Sequence, residues 1–411
     1  MKINNRWFQL VASVIAMVMI ANLQYAWTLF VEPMRVNTGW KLSEIQWAFT
    51  LFILFQTWVQ PAQGFLIDRL GPRLFTTIAG VLCGVGWAGL GLVTTLPMLY
   101  ALYVLAGIGA ALVYGGCMGS ALKWFTTQRG LAAGIIAAGF GGGTALFVPI
   151  IASLIKNQGY RTAFLYTGIF QGVMILLVAQ FLRHPPAQPA AAPKPVAAGV
   201  SRLGQHQFST MDMLRTPQFY VLYAMFLMMA TGGLLVTANA GSMAKAWGIP
   251  AAALALATSL NAIANGGSRI FWGWVSDKTG RELAMGIAFA LQAVCLVLVL
   301  TVGRLSGPLF AATLVATFFT WGEVFSLFPS LTADYFGTRS ATANYGVMYS
   351  AKGVAAIVGG FGPLLFERFG TWDACLYGSA AFALAAAVIA FSLRASRATS
   401  ALALGVPATA K

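Results

Sequence analysis

Carboxylates are what this chain has least of. Ten Asp and Glu stand against 25 Lys and Arg in 411 residues, and only 9% of the sequence is charged at all. With 59% hydrophobic residues and a mean hydropathy of +0.77, that shortage of charge excludes a soluble globular protein. Histidine is almost missing: His184 and His206 both fall in one polar loop. Cys83, Cys117, Cys295 and Cys375 all lie in apolar runs without metal-ligand spacing, so they read as small buried hydrophobes, not as a disulfide or metal framework. The sequence has no P-loop, HExxH or GxSxG, which argues against ATP-driven transport and against a membrane enzyme, and no cofactor is expected. The net charge of +15 would suit nucleic acid, but the basic residues are scattered singly and no nucleic-acid motif accompanies them.

What the chain does have is apolar length. Runs of about 20 apolar residues, enough to cross a bilayer, occur at 8–30, 44–67, 74–94, 97–121, 130–153, 161–182, 218–240, 252–275, 284–303, 307–330, 340–364 and 371–393. The expected fold is an all-α membrane protein of twelve transmembrane helices. If the N-terminus is inside, sixteen of the 25 cations fall in cytoplasmic segments, seven in outer loops and two within runs, which obeys the positive-inside rule and puts both termini in the cytoplasm. The first run is too long for a cleaved signal peptide and reads as a retained signal anchor.

The one long polar interruption, 183–217, contains the Pro/Ala-rich "HPPAQPAAAPKPVAAGV", which cannot bury a core. It splits the chain into an N-terminal six-helix bundle (1–182), a cytoplasmic linker (183–217), a C-terminal six-helix bundle (218–393) and a cytoplasmic tail (394–411). Within the linker, "STMDMLRTPQF" predicts a short interfacial helix begun by Ser209 or Thr210 and ended near Pro217. A weak internal repeat links the halves. "GFLIDRLGPR" places Gly64, Asp68, Arg69, Gly71 and Arg73 after the second run, and "GWVSDKTGR" places Gly273, Asp277, Lys278, Gly280 and Arg281 after the eighth. Gly71 and Gly280 supply turn flexibility, while Asp68 and Asp277 can face the partial positive charge of a neighbouring helix N-terminus. Two such copies at equivalent places resemble the major facilitator superfamily. The resemblance implies two bundles around a central cavity, alternating access by rocking of the halves, and a motif that steadies one conformation without touching substrate.

Arg269 and Lys352 each sit near the middle of an apolar run, where a cation costs about 2.5 to 3.5 kcal/mol to insert, so both should face a polar cavity. With few carboxylates to answer them, such a cavity should take an anion. In the fifth run, "WFTTQRGLAAGIIAAGFGGG" spaces Gly139 and Gly143, and also Gly134, Ala138 and Gly142, four apart, which lets a partner backbone approach. That phrase also resembles a signature of monocarboxylate transporters and the oxalate/formate antiporter family. "NAIANGGSRIFWGW" around Arg269 and "NYGVMYSAKGVAAIVGG" around Lys352 resemble the oxalate/formate antiporters closely. The resemblance implies that Arg269 and Lys352 bind carboxylate, and chemistry agrees: Arg offers a bidentate fork and Lys a point charge. An inter-helix salt bridge is the structural alternative for both.

Gln24, Tyr25, Tyr114 and Trp321 match the family's cavity wall, where amide and hydroxyl groups can donate to carboxylate oxygens and aromatic faces confine a flat ligand. Phe140 and Phe325 stand where those antiporters use tyrosine, each removing a donor. Monocarboxylate–proton symporters carry an aspartate four residues before the equivalent of Arg269; here it is Asn265, which holds no proton. Glu323 is the one carboxylate placed deep within a run. It could neutralise Lys352, carry a proton, or point into the cavity, and it departs from the small residue the resemblance implies. The expected function is a monomeric carrier in a bacterial inner membrane that exchanges small carboxylates. A proton-coupled monocarboxylate symporter and a non-transporting carboxylate sensor remain as alternatives.

Overall fold

A computed structural model describes residues 5–125, 127–185 and 207–402. Every regular element among them is helical: α1 Arg6–Tyr25, α2 Trp27–Thr38, α3 Leu42–Trp58, α4 Gln60–Leu70, α5 Pro72–Gly89, α6 Leu96–Trp124, α7 Arg129–Gly142, α8 Thr144–Gln158, α9 Tyr160–Ala179, α10 Thr210–Leu214, α11 Pro217–Ala246, α12 Ala251–Thr279, α13 Arg281–Thr301, α14 Gly307–Trp321, α15 Val324–Phe336, α16 Ala341–Gly360, α17 Gly362–Phe369 and α18 Asp373–Leu402. The pairs α1–α2, α3–α4, α7–α8, α14–α15 and α16–α17 are each interrupted by one or two residues, so each reads as one long, broken helix.

Nine stretches among the described residues are long and apolar enough to cross a membrane unaided. The expected number is twelve, and the stretches outside the nine are α3–α4, α12 and α16–α17. Their hydropathy is lowered by buried polar side chains: Gln56, Gln60 and Gln63 on the first, Asn261, Asn265, Ser268 and Arg269 on the second, Asn344 and Lys352 on the third. A helix that turns a polar stripe inward loses mean hydropathy without losing its apolar outer face. The outer surface shows that face, with Leu66, Val85, Leu146, Phe170, Val294 and Phe382 all exposed, as a lipid-embedded protein requires.

Helices preceding the linker pack mainly on one another, as do those following it. The two sets meet along α7 with α12 and α15, and along α16 with α3, α4 and α6. The α7–α12 seam is built of small residues. Gly130 meets Gly273, Gly134 meets the backbone of Arg269 and Ile270, and Gly142 meets Gly266, so the two helices approach backbone to backbone. On the other flank, Gly64 and Gly346 bring α4 and α16 equally close.

Gly71 and Gly280 adopt nearly the same conformation, φ 93° ψ 158° and φ 93° ψ 149°, each turning the chain into the next helix. That backbone is open to glycine and strained for other residues; Gly159 turns α8 into α9 the same way, at φ 86° ψ 160°, so the conformation marks a kind of helix-to-helix turn and not the repeat alone. The short helix α10 is capped by Ser209, as the sequence predicts, and Pro217 opens α11. The segment before α10 straps onto the α15–α16 turn: Phe208 N donates to Phe336 O, and Gln207 Oε1 accepts from the amides of Thr338 and Arg339. Linker residues 186–206, with His206, and tail residues 403–411 lie outside the described residues.

Candidate functional site

The broken helices and α12 converge on the two cations. Arg269 and Lys352 are both fully buried, so neither cation is open to solvent from either side, while Tyr25 beside them is half-buried. The Arg269 guanidinium donates from Nη1 to Ala137 O at 2.8 Å, from Nη2 to the Tyr25 hydroxyl at 3.2 Å and from Nε to Asn265 Oδ1 at 3.1 Å. Asn265 precedes it by one helical turn, which aligns the two side chains on one face of α12. Lys352 donates from Nζ to Gln24 Oε1 at 2.9 Å, Gln56 Oε1 at 3.0 Å and the Tyr349 hydroxyl at 3.1 Å. All six acceptors are neutral.

An aromatic shell surrounds the pair. Phe325 lies beneath both cations, its ring centroid 4.6 Å from Arg269 Cζ and 5.5 Å from Lys352 Nζ. Phe140 and Tyr349 add faces at 5.7 and 5.2 Å from Lys352 Nζ. Tyr114 stacks on Tyr349 with centroids 4.7 Å apart and meets Phe140 edge-on, while Tyr25 leans on Phe140 from the other side. Ring quadrupoles favour a nearby cation, but they cannot neutralise it. Trp321 stands one layer further out, against Phe325 and Gly233.

Glu323 is fully buried at the break between α14 and α15, and neither carboxylate oxygen has a hydrogen bond of ordinary geometry. It forms no salt bridge with Lys352, whose three donors are taken by Gln24, Gln56 and Tyr349. Among the described residues, neither central cation has a carboxylate within salt-bridge distance, so an inter-helix ion pair does not account for either.

The repeated motifs lie at the end of the molecule predicted to be cytoplasmic. Asp277 accepts from Gly130 N at 3.2 Å and Leu131 N at 2.9 Å, which places its charge on the N-terminus of α7 across the seam. Arg281 pairs with Asp277 at 2.6 Å and with Asp334 at 3.1 Å, and Asp334 reaches back across the seam to Arg129 at 2.8 Å. Gly273 provides the close approach, Gly280 the turn, and Lys278 caps the Trp274 ring at 3.9 Å. In the first copy, Gly64 abuts Thr342 and Ala343, Arg69 covers Phe65, and Arg73 donates to Gln180 Oε1 from both Nε and Nη2. The Asp68 side chain lies outside the described residues. His184 approaches Ile67 O at 3.2 Å beside Gly71.

Sequence reasoning passed over Gln56, Tyr349, Asp334 and Arg129 as named participants, and also Tyr345, whose ring packs on Tyr349 with centroids 5.6 Å apart. Tyr345 and Tyr349 had a visible signal, since they precede Lys352 by seven and three residues and so share its face of α16. Gln56 had only a weak one, a lone amide in an otherwise apolar run.

A closed, all-helical membrane bundle whose halves meet over two unneutralised cations is the architecture of a solute carrier. The chain belongs to the Major Facilitator Superfamily, whose profile matches residues 12–241 and 221–408. It is 42% identical over 393 residues to the oxalate:formate antiporter of Oxalobacter formigenes, covering 94% of this chain and 92% of that protein. It is also similar to monocarboxylate transporter 12-B of Danio rerio, at 25% identity over 89% of this chain and 82% of the relative. A third relative is apicoplast pyruvate carrier 1 of Toxoplasma gondii, at 24% identity over 76% of this chain and 68% of the relative.

Proposed function

We propose that this protein exchanges small carboxylates across a bacterial inner membrane by alternating access, with oxalate and formate as the leading substrates. One observation carries the reading: two fully buried cations, Arg269 and Lys352, converge on one aromatic-walled site and are met by neutral oxygens alone. A dianion such as oxalate supplies the two missing charges. Gln24, Tyr25, Tyr114 and Asn265 add polar contacts, while Phe140, Phe325 and Trp321 confine the ligand. The carrier works as a monomer of two six-helix bundles with both termini in the cytoplasm. Counterflow of radiolabelled acids into proteoliposomes tests the reading: oxalate-loaded vesicles should accumulate oxalate and formate. Accumulation of neither would refute it, and saturable binding without flux would identify a sensor.

In this scheme the Asp277 cluster and the first motif copy bias the conformational equilibrium and do not contact ligand. Asp68→Asn, Gly71→Leu and Asp277→Asn are therefore expected to slow turnover about tenfold while changing equilibrium affinity little. Binding and exchange measured separately check this, and a proportional fall in both would remove the gating role.

Glu323 supports a second reading, proton-linked transport. Ionised, it lowers the net charge of the site from two to one and suits a monocarboxylate; protonated, it restores the dianion site. Acid should thus favour oxalate over formate. Glu323→Gln is expected to flatten the ratio of oxalate to formate flux across a pH series at zero membrane potential. Superimposable wild-type and variant curves would return Glu323 to a structural role.

A further inference from the structure

The Lys352 ammonium has three N–H donors, and a protein oxygen meets each: Gln24 Oε1, Gln56 Oε1 and the Tyr349 hydroxyl. Two of the three come across the interface, from α1 and α3. Both glutamines sacrifice their own donors in the process, because Nε2 of Gln24 and Nε2 of Gln56 are buried with no acceptor. A buried amide N–H without an acceptor is costly. A carboxylate at Lys352 would relieve that cost, since its oxygens can accept from the amides and the ammonium together.

We propose that Gln24 and Gln56 are stand-in ligands for the substrate carboxylate. Their carbonyl oxygens hold Lys352 when the carrier closes without cargo, and their amide N–H groups turn to the carboxylate when it closes loaded. The proposal rests on the carboxylate-transport reading and extends it in two ways. Gln56 becomes a substrate-contacting and specificity-determining residue, and the carrier gains a route for crossing the membrane unloaded. Closure without an anion is most costly where it strands a buried charge with its hydrogen-bonding groups unmet, and that cost enforces exchange. Here the protein supplies those bonds itself, through Gln24 and Gln56 for Lys352 and through Ala137 O, Tyr25 and Asn265 for Arg269. An amide oxygen carries no net charge, so an arriving carboxylate makes the stronger bond and displaces it.

The test uses the full-length carrier in proteoliposomes at clamped potential and compares two rates: oxalate–oxalate exchange, and net oxalate efflux into carboxylate-free buffer. Gln56→Leu removes one oxygen from Lys352 and leaves an ammonium N–H unmet only in the unloaded closed form. It is expected to lower the ratio of net efflux to exchange about tenfold. Gln56→Glu replaces the stand-in with a full carboxylate, and is expected to raise that ratio above wild type and weaken apparent oxalate affinity at least about tenfold by direct competition. An unchanged ratio in Gln56→Leu, or unchanged affinity in Gln56→Glu, would overturn the proposal while leaving carboxylate transport intact. Wild-type protein that exchanges no oxalate would overturn both.

Discussion

Arg269→Ala is expected to abolish carboxylate exchange, by a factor of at least about 100, while membrane insertion is preserved. Truncating a buried, hydrogen-bonded charge typically costs about 2 to 5 kcal/mol in binding, or roughly thirtyfold to several thousandfold. The loss here is compounded, because Ala137 O, the Tyr25 hydroxyl and Asn265 Oδ1 all lose their donor in a closed site. Insertion should not suffer, since an arginine at mid-membrane opposes insertion and alanine does not. Arg269→Gln keeps a donor but no charge, and should be equally inactive. Arg269→Lys should recover only a small fraction, because an ammonium cannot form the two parallel bonds that a guanidinium makes with a carboxylate. Initial rates of oxalate exchange, normalised to reconstituted protein, decide the matter, and full activity in Arg269→Ala would sink the site assignment.

Gly134→Leu is expected to be nearly as severe, for a reason unconnected with ligand contacts. A Cβ at Gly134 would fall on the main chain of Arg269 and Ile270, midway along the α7–α12 seam. Backbone cannot yield as a side chain can, so the helices must part. Overpacking of this kind costs about 1 to 3 kcal/mol or more, and it is imposed only on conformations in which the seam is shut. The carrier should be held open on that side, with exchange reduced about a hundredfold and oxalate binding largely retained. Equilibrium binding beside exchange rates separates this from misfolding, which would remove both. Unimpaired exchange would show that the seam need not close during the cycle.

The helices and the position of the cations along them could be read directly from the chain. Hydropathy is a local property, and so is the cost of a cation within an apolar run; these place Arg269 and Lys352 in the membrane interior before any contact is known. The paired glycine turns were legible for a similar reason, since Gly71 and Gly280 announce a backbone that other residues avoid. The nine-against-twelve difference in spans has the same origin seen from the opposite side. Gln56, Asn261, Asn265 and Lys352 depress the hydropathy of α3, α12 and α16, so three of the helices that line the site fall outside the nine.

Who answers the cations was not legible. Salt bridge, proton carrier and cavity residue were all open to Glu323 in the linear chain. In the folded protein it bonds to neither cation and leaves Lys352 to Gln24, 328 positions away, and to Gln56, 296 positions away. Asp277 likewise found its helix N-terminus on α7, in the opposite half. Secondary structure and burial in a bilayer follow from short-range chemistry, which a sequence states outright. Hydrogen-bond partners across an interface depend on how helices far apart in the chain are packed, to within tenths of an ångström, and that information exists only once the halves have come together.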